Sequence, residues 1–346
     1  MLIQEIVDLI YRIGYYKNYY RIIQYTDNQN SPQYVSNSKE KICRFCNRKS
    51  PEVTFKTKAH AIPELFGNKN LISRDECDAC NKFFGEKLED DFSKYLGFER
   101  IAYQISGKNG IPSYKLNNKL GRIDNLKNNI FVIQQCQDTN FFKIDKNKNE
   151  IIVHEDKTSF FPIAIYKTLV KMAISILPVE ELQNFDDTIR WLKEEEHSNL
   201  MNPYAEIIVK YIPVELQKYD NPLKITGFIR KDNNYLEPYY QVLLEFRSTS
   251  YQFIVPCRKK ECIFLKRKIN NIIIPATHEL IGDIGKSEIK IWKEYLNITQ
   301  KFETKGRDFS YKYSEYKDLP IEGKKIEEIL QKIGLSTKKA LKTNNK

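Results

Sequence analysis

Two C-x-x-C pairs, Cys43/Cys46 and Cys77/Cys80, constrain this chain more than any other feature. A tight turn can hold each pair, and four thiolates at such paired spacings are the ligand set of a tetrahedral structural zinc. The chain has seven cysteines in all. An odd count with C-x-x-C spacing favours zinc in a reducing compartment over a framework of disulfides. We therefore expect a zinc ion to hold residues 41–97 together as a small module.

The charge of the chain indicates a polyanionic partner. It has 56 Lys and Arg residues against 45 Asp and Glu, for a formal net charge of +11. This excess favours nucleic acid, although a lysine-rich surface of a soluble protein would give the same balance. The longest apolar runs fall short of the ~20 residues that a membrane helix requires. The beginning of the chain lacks the basic and apolar regions of a signal peptide, so we expect a cytoplasmic protein without a membrane segment.

Hydrophobic periodicity predicts an α+β protein in which antiparallel strands and a helical hairpin follow the small zinc module. The strands between residues 130 and 155 are separated by Asn, Asp and Lys turns, which suggests a meander. The helices are predicted over residues 2–13, 81–96, 163–177, 179–195, 203–211 and 324–333. The strands are predicted over residues 130–136, 141–145, 151–155, 223–229, 239–246 and 250–255.

These patterns divide the chain into four predicted parts. Residues 1–40 form an N-terminal helix and a polar linker, and residues 41–97 form the zinc module. Residues 98–330 form a larger α+β domain whose role the sequence does not assign, and residues 331–346 form a basic tail. Tyrosines and basic residues are interleaved over 15–21. Such tyrosines can stack on bases, but at this helical spacing they are expected to serve packing.

The zinc module resembles the HNH endonuclease superfamily, in the branch whose ββα-metal fold is built around two zinc knuckles. The motif A-H-A-I-P-E at Ala59–Glu64 lies between the two cysteine pairs, and Asn81 directly follows the second pair. The likeness also includes Gly67-Asn68-Lys69 and F-G-x-x-L-E at 84–89. It implies a metal-dependent phosphodiester hydrolase with a structural zinc and a catalytic Mg²⁺ or Mn²⁺.

The resemblance also implies roles for individual residues. His60 would be the general base, since an imidazole with an unperturbed pKa near 6.5 can accept a proton from water near neutral pH. Asn81 would occupy the last motif position and ligate the catalytic cation through its amide oxygen, a fair ligand for Mg²⁺ or Mn²⁺. The middle position usually steadies the loop with the base. Asp75 or Asn70 could fill it, and we favour Asp75, which lies closer to the helix start.

One position departs from the pattern. Many members of the superfamily have an acidic cation ligand directly before the catalytic histidine, where this chain has Ala59. Glu64, Asp75 or Asp78 could substitute, or water molecules could, because Mg²⁺ is often held by one or two carboxylates and several waters.

The sequence therefore predicts a metal-dependent HNH endonuclease that cuts DNA, of the kind found in bacterial antiviral defence or on mobile elements. Residues 98–330 would then bind nucleic acid, a protein partner or a small-molecule trigger. The alternative is a catalytically degenerate zinc module that only binds nucleic acid or acts as an adaptor.

Overall fold

The packing of the chain divides into two units. The computed structural model describes residues 2–27, 31–36, 40–107, 110–116, 121–126, 130–135, 141–201, 204–212, 223–233, 237–260 and 289–317. The first unit comprises Met1–Thr139 with Glu155–Arg307, and the second comprises Asn140–His154 with Asp308–Lys346. None of the helices described is both long enough and apolar enough to cross a bilayer.

The described residues combine α-helices with mostly antiparallel sheets, which confirms the α+β class. A 3-10 turn covers Glu64–Phe66, a longer 3-10 helix covers Val179–Phe185, and a π-helical turn covers Gly85–Glu89. The α-helices are α1 (Leu2–Tyr19), α2 (Asp78–Phe84), α3 (Asp90–Leu96), α4 (Glu99–Ala102), α5 (Pro162–Ile176) and α6 (Asp186–Leu192).

The strands are short and mostly antiparallel. They are β1 (Tyr20–Thr26), β2 (Gln33–Tyr34), β3 (Ala59–His60), β4 (Leu71–Ser73), β5 (Tyr114–Lys115), β6 (Gly121–Leu126), β7 (Ile130–Gln135), β8 (Phe142–Asp145), β9 (Glu150–His154), β10 (Ser159–Phe160), β11 (Glu206–Tyr211), β12 (Lys224–Arg230), β13 (Tyr240–Phe246), β14 (Thr249–Ile254), β15 (Lys290–Tyr295), β16 (Phe302–Glu303) and β17 (Asp308–Lys312).

A six-stranded antiparallel sheet is the scaffold of the first unit. Its strand order is β1-β12-β13-β14-β11-β15. Side chains alternate between the two faces of such a sheet. On one face, Phe228 and Leu243 pack against Tyr16 and Tyr20 at the end of α1 and the start of β1. This packing confirms the structural interpretation of the tyrosine cluster.

Helix α5 covers the other face of the sheet and is buried along its whole length. The Tyr166 hydroxyl donates to the carbonyl of Ile254 on β14 at 2.7 Å. The Tyr240 hydroxyl of β13 donates to the carbonyl of Ala173 on α5 at 3.0 Å. Helix α5 packs on its far side against the π-helical turn and α3. The helix therefore lies between the large sheet and the segment that contains the cysteines.

The cysteine segment does not have a core of its own. Its buried side chains, among them Phe45, Phe84 and Phe92, belong to the same hydrophobic cluster as α5 and the large sheet. By packing, residues 41–97 therefore belong to the first unit, and the predicted boundaries at residues 40 and 97 are not boundaries between the two units.

The second unit contains a three-stranded sheet in the order β17-β9-β8. Its strands pair antiparallel, and His154 Nδ1 lies 2.6 Å from the Asp308 carboxylate. Strands β6 and β7 belong to another sheet, with β5. The meander predicted between residues 130 and 155 is therefore only partly correct. Strands β8 and β9 pair as adjacent antiparallel strands, but β7 pairs with β6 in the other sheet.

Most of the other predicted elements are confirmed, with two corrections. The predicted helix over 203–211 is the strand β11, whose apolar run is buried between β14 and β15. A short apolar run of this kind cannot be assigned to helix or strand by periodicity alone. The second helix of the predicted hairpin begins as the 3-10 helix Val179–Phe185 before it continues as α6. The predicted helix over 324–333 and the basic tail lie outside the described residues.

Candidate active site and zinc centre

The four cysteines of the two C-x-x-C pairs form one cluster. All four Sγ atoms lie within 4.8 Å of one another, and only Cys46 is partly exposed. Cys77 is the N-cap residue of α2, and its backbone N–H points at the Cys43 sulfur at 3.4 Å. Four thiols at these distances fit a tetrahedral zinc, whose charge would offset the repulsion among the thiolates. The structure thus confirms that the two knuckles converge.

A zinc in this cluster would join two distant segments. One pair lies in the turn around Arg44–Cys46, and the other begins α2. Phe45 from the turn packs edge-on against Phe84 of α2, with ring centroids 4.7 Å apart. Apolar packing and metal ligation therefore act at the same junction, which is the structural role predicted for the ion.

His60 lies at the end of β3, the edge strand of a three-stranded sheet in the order β2-β4-β3. Its Nε2 atom is 3.2 Å from Glu64 Oε1, at the start of the following 3-10 turn. Among the residues that the structure describes, the buried Nδ1 atom finds no hydrogen-bond partner. In the tautomer with the proton on Nε2, that N–H donates a hydrogen bond to Glu64. Nδ1 then holds the lone pair that can accept a proton.

The charges around His60 have opposing effects on its pKa. Burial lowers the pKa of the imidazole, the Glu64 carboxylate raises it, and the ammonium groups of Lys58 and Lys171 lower it. The net shift is downward, so the ring is neutral at pH 7. A neutral imidazole is the protonation state that a general base requires.

Asn68 holds the loop after His60 and is fully buried. Its amide nitrogen donates to the carbonyls of Ile62 at 2.6 Å and Leu71 at 2.9 Å. Its amide oxygen accepts from the backbone N–H groups of Asn70 and Leu71. These four bonds tie both ends of the loop between β3 and β4 together. Sequence reasoning missed this residue, although it lies in the G-N-K motif that contributed to the family resemblance.

Asp75, the residue favoured for steadying this loop, has other contacts. Its carboxylate accepts two hydrogen bonds from the buried Arg44 guanidinium, at 2.9 and 2.6 Å, and a third from Ser73. Arg44 also donates to the carbonyls of Ile174, Ser175 and Leu177, at the C-terminal end of α5. The contacts of Asp75 therefore dock the zinc module on α5, and the loop contacts belong to Asn68.

Asn81 lies inside α2, which begins at Asp78. The helix starts three residues earlier than predicted, with Cys77 at its N-cap position, and the Asn81 N–H donates to the Cys77 carbonyl at 2.9 Å. The side chain of Asn81 is half-buried. The helix continues through the π-helical turn, which starts at Gly85. No neighbouring element among the described residues packs closely on this glycine, because a Cβ there would meet nothing within 4 Å.

Three carboxylates could replace the acidic ligand that is missing at Ala59, and the structure distinguishes them. Both carboxylate oxygens of Asp75 accept hydrogen bonds from Arg44. Asp78 accepts hydrogen bonds from Thr54, Thr57 and the Lys56 backbone; burial raises its pKa, but these bonds outweigh that effect and lower it.

Glu64 is the third of these carboxylates and is about one-third exposed. One of its oxygens faces His60, and the other lies 3.3 Å from the Lys69 ammonium. Burial raises the pKa of Glu89, Lys171 lowers it, and the negative charge of Glu64 raises it further, so these groups share one electrostatic environment. Glu64 is therefore the candidate carboxylate nearest to the imidazole.

Thiols and histidines outside this region have structural surroundings where the structure describes them. Cys257 is buried, and its thiol donates to the Asn184 carbonyl at 3.3 Å. His197 packs edge-on against Phe161. Cys136, Cys262 and His278 lie outside the described residues.

Comparison with known proteins agrees with this geometry. The family model described as HNH endonuclease matches residues 43–96. No curated protein and no solved structure matches the chain. The matched segment begins at the first cysteine of the cluster and ends with α3, so it includes both knuckles, His60, Asn68 and Asn81. Residues 43–96 are thus similar to the HNH endonuclease family, and their four cysteines form a cluster that fits a zinc ion.

Proposed function

We propose that this protein is a metal-dependent HNH endonuclease that hydrolyses DNA phosphodiester bonds, with His60 as the general base. The observation that supports this most is the pairing of His60 Nε2 with Glu64, which leaves the Nδ1 lone pair without a hydrogen-bond donor among the described residues. The imidazole lies between the two zinc knuckles in a segment of the matched family. Its strand is tied to β4 by backbone pairing and by Asn68.

The proposed catalytic cation would be held by the Asn81 amide oxygen and the Glu64 carboxylate. These are hard oxygen donors of the kind that Mg²⁺ and Mn²⁺ prefer, and the acidic charge that Ala59 does not supply would come from Glu64. When bound, such an ion stabilises charge on the phosphate and on the leaving oxygen. His60 would take the proton of the attacking water.

DNA is proposed as the substrate on the basis of charge. The chain has a formal net charge of +11. Lys58 and Lys69 flank the imidazole closely enough to lower its pKa. Cations placed beside a hydrolytic site attract and orient a phosphate backbone. A cytoplasmic role in defence against foreign DNA, or on a mobile element, belongs to the same proposal.

The test is cleavage of plasmid DNA by the full chain with Mg²⁺ or Mn²⁺. His60→Ala should reduce cleavage by about 10²-fold or more, because general-base catalysis contributes factors of that order. His154→Ala is the matched control, since its ring pairs with Asp308 in the second unit, and it should cleave like the wild type. Equal plasmid survival with wild type and His60→Ala under every metal would refute the catalytic proposal.

A specific observation favours one alternative, a module that binds nucleic acid without cutting it. Ala59 is 1% exposed and has no side-chain ligand atom at the position where many family members have an acidic residue. Under this alternative, affinity for DNA falls with rising salt, is indifferent to Mg²⁺ and Mn²⁺, and is unaltered by Glu64→Gln. Binding that strengthens with Mn²⁺ in the wild type but not in Glu64→Gln would support the nuclease.

A further inference from the structure

We propose that Lys171, on helix α5 outside the family-matched segment, is the positioning residue that fixes the backbone of His60. This inference rests on the proposed function, because positioning matters for catalysis only if His60 is the base. It assigns part of the active-site architecture to the region whose role the sequence left open.

The ammonium group of Lys171 is buried where three parts of the molecule meet. Its side chain is 1% exposed, and Nζ donates to the carbonyl oxygen of His60 at 3.1 Å. Nζ also lies 3.0 Å from Oε2 of Glu76, whose side chain is fully buried and which directly precedes the zinc ligand Cys77. The rings of Phe45 and Phe84 are about 6 Å away. One cation therefore connects α5, the strand of the base and the second knuckle.

The pairing of β3 explains why His60 needs this donor. The backbone N–H of Ala61 donates to the carbonyl of Leu71 on β4 at 3.0 Å. Backbone groups alternate in direction along a strand, so the carbonyl of the preceding residue, His60, points away from β4. β3 is an edge strand, with β4 as its one neighbour in the sheet. Lys171 satisfies the carbonyl on that outer side.

The cost of burying an ammonium group supports a specific role. Burying a charge is unfavourable unless it is paired and hydrogen-bonded, and an apolar residue usually fills such a position more favourably. The Glu76 carboxylate pairs with the Lys171 ammonium, and the His60 carbonyl accepts a hydrogen bond from it. A methionine could occupy a similar volume in this apolar setting but could not hold the carbonyl of His60.

Without this donor, the end of β3 would lose the bond on its outer side, and the imidazole would shift relative to the phosphate and water. Misplacement of a reacting group by about 1 Å can reduce the rate by about 10²-fold. The loss should fall on kcat and leave KM for DNA nearly unchanged, because Lys171 does not reach solvent.

The same helix offers a matched control. Lys167 lies one turn earlier and is 0% exposed. Its ammonium donates to the carbonyl of Trp191 at 2.7 Å and lies near Glu194. Lys167→Met therefore also removes a buried lysine from α5, but its contacts lie near α6 and away from His60.

The experiment compares Lys171→Met and Lys167→Met in the full chain. Because Lys171→Met leaves Glu76 without its cation, a second variant, Lys171→Met with Glu76→Met, replaces the whole pair by apolar groups. We expect both Lys171 variants to reduce kcat by about tenfold to 10²-fold with unchanged KM and zinc content, and Lys167→Met to retain the wild-type kcat. A double variant that folds and keeps the kcat of Lys167→Met would overturn the inference.

Hydrogen–deuterium exchange gives a readout that needs no activity. Exchange in the peptide over residues 57–66 should accelerate in both Lys171 variants and remain at the wild-type rate in Lys167→Met. Equal exchange of this peptide in all variants would contradict the anchoring of His60. If the wild type fails to cut DNA under any metal, the proposed function fails, while the exchange result still decides whether Lys171 anchors the strand.

Discussion

At the scale of single residues, the candidate site combines positions that differ greatly in how readily a sequence shows them. The four cysteines and His60 were found because their spacing is local and their chemistry is distinctive. Asn68 was missed because a buried asparagine in a loop has no spacing signal. Lys171 contacts His60 from 111 positions away. No local pattern indicates a partner at that distance.

Asn68 provides the prediction that belongs to this scale. Asn68→Ala removes four hydrogen bonds and leaves buried backbone groups of the β3–β4 loop without partners. The free energy of unfolding should therefore fall by about 1–3 kcal/mol or more, and urea denaturation measures it. Nuclease activity should fall as well, with zinc content unchanged.

Asn70→Ala is the control for that measurement. Asn70 was the second candidate for steadying the loop, but its side-chain amide donates to Asp27 at 3.0 Å in a partly buried setting. Its replacement should cost less than that of Asn68. Equal losses in the two variants would contradict the role assigned to Asn68.

At the scale of elements, regular patterns were predicted well and junctions were not. The strands β12, β13 and β14 and the helix α5 lie within a residue or two of their predicted bounds. Runs rich in β-branched and aromatic residues favour strands, and an apolar stripe at helical spacing indicates α5. The strand β11 was assigned as a helix because its run E-I-I-V-K-Y is buried on both faces and has no clear period. The start of α2 at Asp78 was missed because Cys77, at the N-cap position, is not one of the residue types that usually cap helices.

The ion pair between Arg44 and Asp75, where the zinc module contacts α5, allows a test at this scale. Arg44→Met leaves the Asp75 carboxylate buried without its cation and removes the donor to the last carbonyls of α5. Breaking a buried ion pair in this way costs about 3–5 kcal/mol, measurable as the free energy of unfolding. Replacing both partners, in Arg44→Met with Asp75→Leu, should recover part of this loss. A double variant less stable than Arg44→Met alone would show that the uncompensated charge is not the cause.

At the scale of the whole molecule, the cysteine segment is part of the first unit and packs into its core. It shares a hydrophobic cluster with α5 and the large sheet. Composition and motifs predicted the module and its family, but they could not show this sharing, because a common core depends on the tertiary arrangement of distant segments.

Zinc removal tests this integration. Structural zinc contributes directly to folding, so chelation or Cys80→Ser should lower the thermal midpoint of the first unit as one cooperative transition. Differential scanning calorimetry measures it. Cys257→Ser replaces another buried thiol outside the cluster and should shift the midpoint much less, with zinc content retained. Separate melting of the cysteine segment, with the large sheet intact, would contradict the shared core.

The guanidinium of Arg44 at the end of α5 has a consequence for protein engineering. The zinc module depends on two sets of contacts with α5. Arg44 donates to the terminal carbonyls of this helix, and Lys171 donates to the His60 carbonyl. A chimera that transplants only residues 43–96 into a foreign scaffold would expose the buried Arg44 and leave the His60 carbonyl without the Lys171 donor on the outer side of β3. A functional cassette has to include α5, so recombination that preserves activity should exchange the two together.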